Sequence, residues 1–166
     1  YFECLHENAF FLEDANQARK DWKKAYENGV IDSSWALAVS YNKSGETDTA
    51  NSWMDIAVAA NNPIGKFMKS ARAYADKDYK TSLEIAKSLI GEDISDYPSD
   101  TQRGVTIEKW ILAIYDITKD EVGRKKFLEE CATNNVYCIG TLSRAYLGED
   151  DVKAKIWAEK GVALNN

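Results

Sequence analysis

Histidine is nearly absent from this chain: among its 166 residues His6 is the only one. A multi-histidine metal site is therefore excluded, and any Ser-His-Asp arrangement would have to use His6. Proline and glycine are scarce, at 2 and 9 residues, which argues against disorder and against an all-β fold rich in turns. The 3 cysteines, Cys4, Cys131 and Cys138, are too few for a dense disulfide framework. No apolar run reaches the roughly twenty residues that cross a bilayer. Gly140 and Gly148 belong to no G-x-x-x-x-G-K-S/T loop, so no phosphate cradle is encoded. Basic residues number 21 against 27 acidic ones, for a net charge of -6, and nowhere do they form a run longer than the three of Arg124-Lys125-Lys126. Such a chain repels phosphate backbones, which excludes nucleic acid as the expected partner, and attracts a basic protein surface. The opening Tyr1-Phe2-Glu3-Cys4 carries no leader pattern, which bears little on compartment in a chain that does not begin with Met.

What is present is a pattern that recurs. Near the end the chain runs Leu142-Ser143-Arg144-Ala145-Tyr146, a polar loop, Ala154-Lys155-Ile156-Trp157, then Asn165-Asn166. Earlier it runs Leu37-Ala38-Val39-Ser40-Tyr41, a polar loop, Ala50-Asn51-Ser52-Trp53, then Asn61-Asn62. Tyr41, Tyr74, Tyr115 and Tyr146 mark four copies, with a small residue following each at Ala50, Ser82, Gly123 and Ala154. The steps between tyrosines are 33, 41 and 31 residues by subtraction. An N-terminal half-match adds Phe10, Ala18, Trp22 and Ala25. Self-similarity at such a period is the mark of stacked helical hairpins. A small residue lets a neighbouring helix approach, and a ring one turn along fills the space beside it. Tyr41, Trp53, Tyr146 and Trp157 are therefore expected to be buried between repeats.

Punctuation along the chain agrees with helices. Asp14 or Asn16 suits a helix start, and Gly29 suits its end. Asp32-Ser33-Ser34 suits the start of the next helix, and Pro63 the first turn of another. Residues 91–104, with Gly, Asp, Ser and Pro98, break the periodicity and account for the long step. The expected architecture is all-α: one α-solenoid domain over 1–166, with four to five helical-hairpin repeats and a surface-loop insertion at 91–104.

At Asp48-Thr49-Ala50-Asn51-Ser52-Trp53-Met54 and Asp151-Val152-Lys153-Ala154-Lys155-Ile156-Trp157 the chain resembles the Sel-one-like repeats of the tetratricopeptide (TPR) superfamily. Their pattern is Leu-small-x-x-Tyr, a loop, then Ala-x-x-Trp. The likeness spans nearly the whole chain, although Gly123 to Lys126 matches poorly and the repeats are short. It implies an α-solenoid that binds other proteins, in a group whose members serve as adaptors, chaperones, secreted virulence-associated factors and immunity proteins against bacterial toxins. Secreted cysteine-rich members are similar around Cys131 and Cys138, which fall at the end of one helix and the start of the next. Two readings stay open there: a disulfide, which would point to an oxidising compartment, or two reduced thiols acting as small hydrophobes.

For chemistry, Glu92-Asp93, Glu129-Glu130 and Asp150-Asp151 are sequence neighbours that suit solvent or helix starts rather than a catalytic pair. No cofactor or metal is indicated. The expected function is a non-catalytic protein-binding module, most specifically an immunity-like protein that neutralises a secreted lipase-type effector in the periplasm or outside the cell. The alternatives are a general adaptor or secretion chaperone, in the cytoplasm, and in another class a small hydrolase using His6 or a carboxylate pair. Counting from each repeat tyrosine places Trp35, Val39, Asn42, Met68, Arg72, Lys109, Asp116, Arg144 and Leu147 on the partner face.

Overall fold

In this computed structural model the described residues are 1–92, 94 and 106–164. Ten helices follow one another: α1 (Phe2–Ala9), α2 (Ala15–Glu27), α3 (Ser33–Lys43), α4 (Thr47–Ala59), α5 (Pro63–Ala75), α6 (Tyr79–Lys87), α7 (Ile107–Thr118), α8 (Glu121–Cys131), α9 (Val136–Tyr146) and α10 (Asp151–Leu164). No strand occurs among the described residues. Within each unit consecutive helices pack against one another, and the fold is all-α, of TPR-like helical repeats. Packing groups the chain into two compact units, Tyr1–Arg103 and Gly104–Asn166. Most of the loop insertion expected at 91–104, and the closing Asn165-Asn166, lie outside the described residues.

Side-chain caps set most helix starts. Asp14 accepts from the Asn16 N–H at 2.8 Å, Asn62 from Gly65 at 2.8 Å, and Asp78 from Thr81 at 3.1 Å. Asp120 accepts from Gly123 at 2.8 Å, Asn135 from Cys138 at 3.1 Å, and Asp150 from Lys153 at 3.0 Å. Each satisfies a backbone donor that a helix start leaves without a partner. Asp32 departs from expectation: its carboxylate caps nothing and instead accepts from Asn62 Nδ2 at 2.8 Å, joining the starts of α3 and α5.

The small-residue rule holds at the helix contacts. Ala50, Ser82 and Ala154 are buried. Ser70 and Ser82 donate to each other's backbone carbonyls, both at 2.9 Å, which satisfies two buried hydroxyls where α5 meets α6. Gly65 lies so close to α4 that a Cβ there would stand 2.5 Å from that of Ala57. Tyr41 and Tyr146 are buried as expected. Trp53 and Trp157 are only half-buried, which corrects that part of the expectation. The Trp53 indole meets Tyr26 edge-on, while Lys160 lies 4.8 Å from the centroid of Trp157. Arg19 ties α2 to the α3–α4 turn. Its guanidinium donates to Ser40, Ser44 and Glu46 and lies 4.3 Å from the centroid of Tyr41.

Candidate functional site

In the first unit α3 is buried nearly all round. Ser33 to Ala38 and Tyr41 have almost no exposure, as expected of a helix that carries no charge before Lys43 and has neighbours on several sides. This corrects the placement of Trp35 on an exposed partner face, because it is only 4% exposed. The physical reason is α1 and the residue after it. Phe10 stacks on the Trp35 indole at 5.4 Å, and His6 meets it edge-on at 6.3 Å. The N-terminal helix thus covers the first turn of α3, which counting from Tyr41 had left to a partner.

The other residues expected on that face divide. Val39 is half-buried against the core cluster that contains Trp35. Asn42, Met68 and Arg72 come together in a cleft of about 260 Å³, with Ala50, Asn51, Met54, Ala71 and Ala75. Met68 and Met54 supply adaptable apolar surface, and Asn42 and Asn51 carry side-chain amides that can donate and accept. Arg72 is held by Asp76 one turn on, at 3.2 Å. Sequence reasoning missed Asn51 and Met54, which lie on α4, because it counted only from the tyrosine-bearing helices.

In the second unit Arg124, Tyr137, Thr141, Arg144 and Ala145 line a cleft of about 350 Å³. Arg144 was expected there. Lys109 lies beside it, with Nζ 5.3 Å from the Tyr137 ring centroid. Asp116 enters through its 2.8 Å contact with Arg124 Nε. Leu147 is 63% exposed, just past the end of α9. Arg124 was missed: it lies on α8, and its long side chain reaches the face that α9 presents.

His6 is 6% exposed, and its Nδ1 lies 3.0 Å from Ser33 Oγ. Ser33 has no exposure, so this pair cannot present a nucleophile to a substrate. Desolvation pulls the His6 pKa below its ordinary 6.5, while Glu7 and Asp32 act weakly the other way. The Trp22 indole donates to the His6 carbonyl at 3.1 Å, so the cluster locks α1 against α2 and α3. Tyr146 donates to Glu129 at 2.5 Å, and that carboxylate is the main reason its pKa is pushed up to about 12. Cys131 and Cys138 are joined with Cα atoms 5.8 Å apart, while Cys4 is a free, exposed thiol. Among the described residues no group of three or more His, Cys, Asp or Glu could hold a metal, and no helix is long and apolar enough to cross a membrane.

No family model matches the chain, and no curated protein matches it by sequence. A crystal structure of kinesin-light-chain-type, nearly identical TPR-like repeats from Podosopora anserina is similar to it in fold. The likeness has a TM-score of 0.55 at 12% identity and covers 99% of this chain and 94% of that one. At that identity it shows the fold, a stack of TPR-like helical hairpins.

Proposed function

We propose that the chain is a non-catalytic protein-binding module that holds its partner through the clefts of its tyrosine-bearing helices. The observation that carries this reading is the first-unit cleft. Asn42, Met68 and Arg72 were singled out by repeat position alone, and they line one concavity with Asn51 and Met54. A mixed apolar and amide-bearing cleft on a rigid helical scaffold suits a peptide segment or loop of another protein. The solvent-shielded His6–Ser33 pair supports binding over catalysis.

Within that reading we place the chain as immunity-like, neutralising a secreted lipase-type effector in the periplasm or outside the cell. Support comes from the resemblance to Sel-one-like repeats, the small acidic chain, and the Cys131–Cys138 pairing, which suits an oxidising compartment. Thiol counting on denatured, unreduced protein from its native compartment should find one free thiol, from Cys4. Three free thiols would remove the argument for that compartment and favour a cytoplasmic adaptor.

The module reading is tested by crosslinked capture from the source cell. Wild type should retain one partner in fixed stoichiometry. Met68→Glu and Arg72→Glu should lose it, while Lys24→Glu and Lys155→Glu on outer faces should keep it. Capture of nothing in fixed stoichiometry would overturn the module. A partner lost only with the outer-face variants would overturn the cleft.

A further inference from the structure

The helix that covers the first turn of α3 rests on few buried side chains. α1 has 8 residues, and helices shorter than about 12–15 residues are marginal on their own. Tyr1 at its start supplies no side-chain cap. Its buried side chains are His6 and Ala9, while Phe2 and Leu5 are half-buried. Ala9 brings one methyl to the cluster that contains Trp22 and Trp35. His6 brings a ring, edge-on to Phe10 at 5.1 Å and to Trp35 at 6.3 Å, with Nδ1 3.0 Å from Ser33 Oγ. The largest buried side chain of α1 is thus of the one type whose charge ordinarily changes between about pH 5 and 8.

A proton on this ring would place a cation where little solvent reaches. Burial is the largest influence on His6 and disfavours its charged form. Two carboxylates oppose that influence, Glu7 on α1 itself and Asp32 just before α3. Glu7 is exposed, so solvent screens it, and Asp32 is turned toward Asn62, whose Nδ2 donates to it at 2.8 Å. α2 presents Trp22, whose indole donates to the His6 carbonyl at 3.1 Å, and α3 presents Ser33 and Trp35. Among the described residues no charge on α2 or α3 acts on the ring.

We propose that α1 is an acid-released cover: protonation of His6 loosens α1 from α2 and α3 and uncovers Trp22 and Trp35, while α4 to α6 stay folded. The ring takes its proton more readily once it meets water, so a fall in pH below the ordinary 6.5 favours release. Opening one short helix costs less than unfolding the unit. The contact of α4 with α5, at Ala57 and Gly65, and that of α5 with α6, at Ser70 and Ser82, use no group that titrates in this range. Trp35 stands at a repeat position that counting from Tyr41 assigns to a partner face. Release would therefore add an aromatic surface to that face, whatever fills the clefts.

Amide hydrogen exchange of the full chain at about pH 8 and about pH 5, corrected for the intrinsic effect of pH on exchange, tests this. Peptides from α1 should lose protection at the lower pH, while those from α4 to α6 keep theirs. His6 is the only histidine, so its ring protons report its titration by NMR without ambiguity, and the loss of α1 protection should follow that curve. His6→Gln and His6→Leu, which do not titrate, should hold α1 alike at both pH values. Where a variant frees α1 at both, coincidence of the two wild-type curves upholds the proposal and their separation overturns it. Loss of protection in α1 and in α4 to α6 together would mean that the unit melts as a whole, and would overturn the cover. Equal protection of α1 at both pH values, or acid release that persists in His6→Leu, would overturn it too.

Discussion

Replacing Trp35 by Ala separates a core role from a partner-binding role more sharply than any other single change. A tryptophan buries about 150–250 Å² and each Å² of apolar surface is worth roughly 25 cal/mol, so full burial is worth about 4–6 kcal/mol. Residual compactness of the unfolded chain lowers that by about 10–40%, giving about 2–5 kcal/mol, which spans the roughly 3–5 kcal/mol measured for large rings in cores. At 4% exposure, stacked on Phe10 and edge-on to His6, Trp35 should sit in that range. Because the chain forms two compact units, the change should be read locally. Hydrogen exchange at increasing urea, followed on peptides from α1 to α3, gives the free energy of opening of that region. Trp35→Phe, which keeps a ring, should cost less and guards against a variant too unstable to measure. A Phe10→Ala/Trp35→Ala double-mutant cycle should show coupling of about 0.5–1.5 kcal/mol. A loss under about 1 kcal/mol, with partner binding weakened by about 2 kcal/mol instead, would mean the ring faces a partner and would refute the burial argument.

His6 should make the first unit acid-sensitive: its folded pKa lies below 6.5, so the unfolded chain binds the extra proton and stability falls as pH drops below 6.5. Melting curves at about pH 8 and about pH 5 should show a drop for wild type that His6→Gln reduces. Tyr146 acts at the other end: with its pKa raised to about 12 from 10, its contribution is present below pH 10 and is lost as pH rises through 12. The stability gap between wild type and Tyr146→Phe should therefore narrow across that window in urea titrations. Gly65→Ala should cost about 1–3 kcal/mol in the same titrations, because its Cβ would stand 2.5 Å from that of Ala57 and α4 and α5 would have to separate.

Much of the fold was legible because packing constrains it locally. Tyr41, Ala50, Tyr146 and Ala154 announced the helical hairpins, and Gly29, with φ of 95°, the cap at Asp14 and Pro63 in the first turn of α5 marked helix ends. Trp35 was not legible by counting from Tyr41. Its burial depends on Phe10, twenty-five residues earlier by subtraction, folding back over it. One signal was present: the run from Ser33 to Tyr41 carries no charge, which a helix with a solvent face rarely does. Arg124 was hidden for a different reason. Its contribution comes from side-chain length, and the position counting fixed only where backbones lie.

That difference bears on how the two clefts are to be read. The recurrent positions, small residues and tyrosines, answer to helix packing, so they repeat. The cleft positions touch solvent, so nothing in packing makes one copy resemble another. In the first unit Arg72 is balanced by Asp76 one turn away, and two methionines and two asparagines dominate. In the second, two arginines share their cleft with a tyrosine and a threonine. Repeat arithmetic can thus locate a binding face but cannot supply its chemistry, which resides in the residues that break the repeat. A ligand that suited the first-unit cleft would present neutral, partly apolar residues to it.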